Sequence, residues 1–165
     1  PHTPTRDFVG SVNVYKRQAH YIAKNKVKYD DPEAWKLVHD LSEAFQYYLL
    51  KASNQIAQEK GACEYFDHTK YSDGLLPIDT YKKDVDDIVP NVLNYDWDTL
   101  RNDIKTHGLR HSTLSAQMPS ESSSIVSNAT NGVEPPRDYV SIKKSKKGPL
   151  TVSYTHLTLP TKSLV

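Results

Sequence analysis

The longest regular pattern of apolar and polar positions runs from Pro32 to Lys60. Apolar residues recur there at spacings of three and four, which is typical of one face of an amphipathic helix. Asp31 before Pro32 favours a helix start, and Gly61 favours a stop because glycine accepts the left-handed backbone that follows a helix. The pattern therefore predicts a helix over Pro32–Lys60. Its apolar stripe consists of Ala34, Val38, Leu41, Phe45, Tyr48, Leu49, Ala52 and Ile56.

A second, shorter helix is predicted after Asp96, a residue type that caps the free N–H groups of a first helical turn. Gly108 would end it. Between the two helices, residues 72–74 (Ser-Asp-Gly) indicate a turn, and the charged residues 80–87 indicate a loop or a short helix. The apolar stripe of the second helix would consist of Trp97, Leu100 and Ile104.

The pattern changes in residues 109–118, which alternate without a strongly apolar set. This favours a strand of small residues buried on both faces. Residues 120–131 are a candidate helix. Residues 139–143 alternate as a strand, and residues 144–148 indicate a turn after it.

Composition limits the class of protein. Only 37% of the 165 residues are hydrophobic, against about 45–50% for a globular domain by a count that includes glycine. The formal net charge of +1 argues against a dedicated nucleic-acid or membrane-surface binder. One cysteine excludes an internal disulfide framework and suits a reducing compartment, so we expect a cytoplasmic protein. We interpret the low apolar fraction as that of a piece of something larger, or of a domain with poorly structured ends.

The two ends of the chain are related through the DNA that could encode them. Residues 14–18 read Val-Tyr-Lys-Arg-Gln and residues 152–156 read Val-Ser-Tyr-Thr-His. One short DNA can encode the first run, and its reverse complement in a shifted frame can encode Val-Ser-Tyr-Thr and the first base of the His codon that follows. Both resemble translated sequencing-adaptor DNA, so we predict that residues 1–18 and 151–165 are adaptor-derived and that residues 19–150 are native. The alternative is a natural polar terminus and a short strand.

Residues 118–124 (Met-Pro-Ser-Glu-Ser-Ser-Ser) carry the candidate chemistry. They lie between a candidate strand and a candidate helix. Small hydroxyl residues at a helix start leave several backbone N–H groups free at the positive end of the helix dipole, which suits phosphate. An ordinary serine-rich helix cap fits the same residues. The lysine of a Walker-type loop is missing, so this is not a P-loop.

The wider sequence resembles the large, catalytic subunit of class I ribonucleoside-diphosphate reductase, in its bacterial branch. The resemblance is collinear and covers nearly all of residues 19–148. The stretches that carry it are QYYLLKAS (46–53), LLPIDTYKKD (75–84), IKTHGLR (104–110), STLSA (112–116) and SNATNGVEPP (127–136). It implies an α/β fold, an incomplete fragment of a ten-stranded α/β barrel with the long helix near its start.

In that family the turn after a late barrel strand holds the substrate's diphosphate through backbone amides and hydroxyls. The matching residues here are Pro119, Ser120, Glu121, Ser122 and Ser123. Glu121 would have to aim its carboxylate away from the phosphates, because like charges in contact are costly. Ser122 stands where many relatives have Thr, and His111 and Gln117 also depart from the commonest pattern.

The resemblance further implies an enzyme that reduces ribonucleoside diphosphates to 2′-deoxyribonucleoside diphosphates by radical chemistry, for DNA replication. That parent would take a radical from a metal-containing small subunit and electrons from thioredoxin or glutaredoxin. It would be an allosteric, ATP-binding enzyme that responds to ATP and deoxynucleotides, and it would form a large-subunit homodimer. None of the family's catalytic cysteine positions lies in this chain, so we predict an inactive fragment that binds no cofactor or metal, no nucleic acid and no membrane.

The alternative is a non-enzymatic phosphate-binding or helical interaction domain. Other residues that invite a functional interpretation have simpler ones. Tyr47 and Tyr48 are interpreted as packing residues, and Cys63 as a lone, half-buried thiol. The cluster Asp84, Asp86 and Asp87 is interpreted as a solvated face.

Overall fold

A computed structural model describes residues 18–89, 92–115, 133, 140–145 and 148–153. The chain divides into two compact units. Among the described residues, the first unit holds those from 40 to 115, and the second holds those from 18 to 39 together with the residues from 133 onward. The helices are α1 (Gln18–Lys24), α2 (Pro32–Lys60) and α3 (Trp97–His107), and the strands are β1 (Val140–Ser145) and β2 (Gly148–Ser153).

Helix α2 has the bounds that the sequence predicts. At its start the Asp31 carbonyl accepts hydrogen bonds from the N–H groups of Ala34 and Trp35, at N···O distances of 2.9 and 3.3 Å. At its end Gly61 has a φ of +83°, the left-handed backbone that glycine adopts without strain. Both predicted ends of the helix are therefore confirmed.

The face of α2 that is buried in the first unit differs from the predicted apolar stripe. Phe45 and Tyr48 of that stripe are 36% and 55% exposed. The buried residues lie about two positions further along, which is about 200° around a helix. Three of them are polar and are paired by hydrogen bonds, so hydrophobicity alone could not identify this face. The buried set is Glu43, Tyr47, Leu50, Ser53, Asn54 and Ala57.

Helix α3 forms as predicted. The Asp96 Oδ1 atom accepts a hydrogen bond from the Thr99 N–H at 3.0 Å and so caps the first turn. Gly108, with a φ of +75°, ends the helix, and its N–H donates to the Ile104 carbonyl. The predicted stripe of α3 is buried and joins a core cluster with α2. This core consists of Tyr47, Leu50, Leu76, Trp97, Leu100, Ile104 and Leu109.

Three short 3₁₀ helices lie between α2 and α3, at Phe66–His68, Pro77–Asp79 and Lys83–Asp87. The predicted turn at residues 72–74 and the predicted short helix within 80–87 are both present. Arg101 on α3 bonds to two parts of this region. Its guanidinium forms an ion pair with Asp79 at 2.6 Å and also donates to the Gly74 carbonyl.

The predicted strand over residues 109–118 is wrong for its described part, because residues 109–115 form no strand. A strand needs a neighbouring strand to take its backbone hydrogen bonds. Here the Leu109 carbonyl accepts from the Cys63 N–H, and the Arg110 N–H donates to the Ser53 carbonyl. A helix and the loop after it take the place of a strand partner. The candidate helix over residues 120–131 lies outside the described residues.

The second unit contains α1, the start of α2 and an antiparallel hairpin in which Val140 pairs with Ser153 and Ser145 with Gly148. The predicted strand at 139–143 is confirmed for its described residues, 140–143. The turn predicted over 144–148 is too wide, since Lys144 and Ser145 still belong to β1. A small core of Ile22, Val27 and Ala34 joins α1 to α2.

Among the residues that the structure describes, β1 and β2 make up a single two-stranded sheet, and these residues form no barrel. No helix in the same part of the chain is both long enough and apolar enough to cross a membrane.

Candidate functional site

The residues predicted to bind phosphate, Pro119, Ser120, Glu121, Ser122 and Ser123, lie outside the described residues, as does Gln117. The structure does describe residues 108–115, which lead into them from the end of α3. We call residues 108–115 the approach segment. Its contacts with α2 are the described geometry nearest in sequence to the predicted turn.

The approach segment starts at a buried amide side chain. Asn54 is 2% exposed, and its Nδ2 atom donates to the carbonyls of Asp103 and Gly108, at 3.1 and 2.9 Å. The Gln58 side chain donates in turn to the Asn54 Oδ1 atom at 2.8 Å, which fixes the orientation of the amide. Asn54 therefore joins α2 to the last turn of α3 and to the glycine that ends it.

The next residue, Leu109, is fully buried, and its carbonyl accepts from the Cys63 N–H at 2.9 Å. Cys63 itself is a free, half-buried thiol, as the sequence predicts. The contact that matters here is made by its backbone. The loop that follows α2 thus holds the second residue of the approach segment.

Ser53 makes the closest set of contacts with the approach segment. Its carbonyl accepts from the Arg110 N–H at 3.2 Å, and its Oγ atom accepts from the His111 N–H at 3.1 Å. The same Oγ atom lies 3.1 Å from the His111 Nδ1 atom. The Ser53 side chain thus contacts both the backbone and the ring of His111.

The last described contact joins Ser115 to Gln46, where the Ser115 Oγ atom donates to the Gln46 Oε1 atom at 3.3 Å. The approach segment therefore runs along α2 toward the start of that helix. It meets Asn54 first, then Ser53 and finally Gln46, which lies about 12 Å from Asn54 along the helix axis.

A second polar network lies on the same helix. Glu43 is 6% exposed, and its carboxylate accepts hydrogen bonds from the backbone N–H groups of Asn94 and Tyr95 and from the indole of Trp97. The amide of Asn94 also donates to it, at 2.8 Å. Burial alone raises the pKa of the Glu43 carboxyl, but the hydrogen bonds from Trp97, Asn94 and Tyr95 outweigh burial and leave this pKa below its usual value.

We did not identify Glu43, Ser53, Asn54 or Gln46 from the sequence. A signal for one of them was present, since Glu43, Tyr47 and Leu50 follow helical spacing and place a carboxylate in line with two core residues. The partners of such a carboxylate come from residues about fifty positions away, and helical periodicity carries no information on those.

Tyr47 and Tyr48 act as packing residues, as predicted. Tyr47 is buried and stacks on Tyr95, with ring centroids 4.7 Å apart, and its edge meets Trp97. Tyr48 is exposed but packs its edge against Tyr95. These contacts account for both rings without a chemical role.

The aspartates of the 3₁₀ helix Lys83–Asp87 are exposed, as predicted for a solvated face. Asp86 accepts hydrogen bonds from the Tyr81 hydroxyl. No three His, Cys, Asp or Glu side chains within the described residues are grouped so that they could hold a metal ion.

Comparison with protein families finds that residues 15–163 match the barrel domain of ribonucleotide reductase. The chain is 61% identical over 142 residues to ribonucleoside-diphosphate reductase 1 subunit alpha of Salmonella typhimurium, and equally to that of Escherichia coli. It is 62% identical over 130 residues to the alpha subunit of Haemophilus influenzae. These alignments cover 84%, 84% and 79% of this chain, but only 19%, 19% and 17% of the relatives. The chain thus spans about a fifth of the length of the curated relatives it matches.

Proposed function

Because this chain belongs to the ribonucleotide reductase barrel-domain family, we propose that it is a segment of the alpha subunit of a class I ribonucleoside-diphosphate reductase. The observation that carries the proposal is 61% identity, extended over 142 residues, to alpha subunits that bear this name. The whole subunit then reduces ribonucleoside diphosphates to their 2′-deoxy forms.

In the whole subunit this segment contributes to an α/β barrel. The family match to a barrel domain supports this proposal.

Within the segment, Pro119, Ser120, Glu121, Ser122 and Ser123 bind the substrate's diphosphate. Free backbone N–H groups and serine hydroxyls are donors suited to phosphate oxygens. The turn begins four residues after the end of the approach segment, which is itself bonded to buried residues of α2.

The test is nucleoside-diphosphate binding by the full-length alpha subunit in which Ser122 and Ser123 are changed to Ala. We expect the affinity for the diphosphate to fall about tenfold or more, since charge-assisted hydrogen bonds contribute about 1.5–3 kcal/mol each. Thr106→Val is the matched control, because it removes a hydroxyl that bonds only within α3, to the Asn102 carbonyl. Unchanged affinity in the serine variants, with the control also unchanged, would contradict the phosphate assignment.

The chain alone does not carry out the reaction. Reduction of a ribose by a cysteine pair requires two thiols that become a disulfide, and this chain has one cysteine, Cys63. The radical comes from a metal-containing small subunit, and the electrons come from thioredoxin or glutaredoxin. ATP and deoxynucleotides regulate the enzyme by binding elsewhere in the alpha subunit. The alpha subunit is a cytoplasmic homodimer. We expect turnover only when the full-length alpha subunit, the small subunit and a dithiol reductant are all present.

The ends of the chain, residues 1–18 and 151–165, derive from sequencing-adaptor DNA. The inverted relation between the possible codons of residues 14–18 and 152–156 supports this. The alternative is that the ends are natural, since the family match runs over residues 15–163 and β2 includes Thr151, Val152 and Ser153. Sequencing the gene from genomic DNA distinguishes the two origins. Codons for residues 152–161 in the genome would contradict an adaptor origin.

A further inference from the structure

We propose that Ser53 and Gln46 on α2 are positioning residues for the diphosphate-binding turn. They fix the register of the approach segment and thereby the place at which the following residues present their donors to phosphate. This rests on the proposed function of residues 119–123. Neither residue is proposed to touch the substrate.

The first step in the argument is the density of contacts. Gly108, Leu109, Arg110 and His111 are consecutive, and each has a backbone group bonded to α2 or to the loop that follows it, at 2.9 to 3.2 Å. Four consecutive anchors leave the backbone little freedom to slide along the helix. The Ser115–Gln46 contact repeats the attachment four residues later.

The second step is the burial of Ser53. Ser53 is 2% exposed, and loss of its hydroxyl removes the partner of the part-buried His111 N–H. An unsatisfied buried donor costs more than the hydrogen bond itself contributes. The segment would then shift to recover a partner, and the shift passes along the chain toward Pro119.

The third step is the order along the chain. Ser115 stands four residues before Pro119, so the approach segment and the predicted turn are close neighbours along the chain. Phosphate contacts through backbone N–H groups depend on backbone position, because an amide cannot change rotamer to recover a lost contact.

The test compares Ser53→Thr with Ser53→Val in the full-length subunit, assayed with its small subunit and a reductant. Threonine and valine have nearly the same shape, so any crowding from the added methyl group is common to both, and only threonine retains the hydroxyl. We expect Ser53→Val to raise KM for the diphosphate about three- to tenfold relative to Ser53→Thr, with kcat within about twofold. A purely structural role would lower the active fraction, and hence the apparent kcat, and leave KM unchanged.

Gln46 supplies a second, independent pair at a half-buried site. Gln46→Glu keeps an oxygen that accepts from Ser115, whereas Gln46→Leu removes it. We expect Gln46→Leu to raise KM in the same direction and Gln46→Glu to restore it. If the Ser53 variants fail to fold, this pair decides.

The outcomes separate the two proposals. Lost affinity in the Ser122 and Ser123 variants, with equal KM for both members of the Ser53 pair and of the Gln46 pair, overturns the positioning role and leaves the phosphate assignment standing. Unchanged affinity in the Ser122 and Ser123 variants overturns both. Thr106→Val again serves as the control for loss of a hydroxyl away from the approach segment.

Discussion

The indole N–H of Trp97 donates a hydrogen bond to the buried carboxylate of Glu43, with 2.9 Å between Nε1 and Oε1. This contact joins the first residue of α3 to the middle of α2. The same carboxylate also accepts hydrogen bonds from the N–H groups of Asn94 and Tyr95, three and two residues before Trp97. One side chain therefore holds the entry to α3 against α2.

Glu43→Gln should destabilise the chain. The amide nitrogen of glutamine cannot accept the Asn94 Nδ2 donor, which bonds to the Glu43 Oε2 atom at 2.8 Å, and the neutral amide oxygen accepts the remaining N–H groups more weakly than a carboxylate does. We expect the free energy of unfolding to fall by about 2 kcal/mol in urea titrations. Glu59→Gln, an exposed position on the same helix, should leave stability unchanged. Equal stabilities for the two variants would argue against a structural role for the Glu43 carboxylate.

The same carboxylate predicts a dependence of stability on pH. The pKa of Glu43 is lowered from 4.5 in the folded chain, so its contribution is complete above the unfolded pKa and is lost as the pH falls through the folded one. The stability gap between the original chain and Glu43→Gln should therefore narrow as the pH drops below about 4.5. Chemical unfolding at several pH values measures this gap. A gap that stays constant down to the folded pKa would contradict the assignment.

Arg101→Lys tests the attachment of the region between the helices. Arg101 places two nitrogens on Asp79, at 2.6 and 3.1 Å, and this contact holds the pKa of the Asp79 carboxyl below its usual value. Lysine cannot reproduce a two-point contact. We expect a loss of about 1 kcal/mol and faster amide hydrogen exchange in residues 74–79. Arg110→Lys, an exposed change of the same type, is the control, and matching exchange rates in both variants would count against the proposed attachment.

Gly61 and Gly108 should differ in how well they tolerate alanine. Both have positive φ, +83° and +75°, and Gly108 has a ψ of −167°, a backbone region that is essentially restricted to glycine. A Cβ atom at Gly61 would meet nothing within 4 Å, whereas one at Gly108 would lie 2.6 Å from the Ala62 Cβ atom. Gly61→Ala should cost about 1 kcal/mol, and Gly108→Ala about 3 kcal/mol, because both the backbone region and the crowding are worse at Gly108. Thermal unfolding of both variants measures the difference, and equal losses of stability would contradict this prediction.

The sequence predicts well those elements whose signals are local. The bounds of α2, the Asp96 cap, the stripe of α3 and its end at Gly108 all depend on residues within one or two helical turns of each other. The family resemblance also identifies the family correctly, because collinear similarity over a long stretch is more specific than a single motif.

Features that depend on distant partners could not be predicted. The buried side of α2 carries Glu43, Ser53 and Asn54, and their hydrogen-bond partners lie some fifty positions away. Residues 109–115 suggest a strand by their alternation, but a strand exists only with a neighbour, and α2 fills that place instead. The assignment of residues 119–123 remains a prediction from the sequence.

The two attachment points on α2 impose a constraint on chain length. Gln46 and Ser53 are seven residues apart, which is close to two helical turns, so both side chains point to the same side of the helix. Inserting or deleting one residue between them would rotate one contact about 100° away from the other. This stretch of α2 should therefore accept changes of residue type at its exposed positions over evolution, but no insertions or deletions.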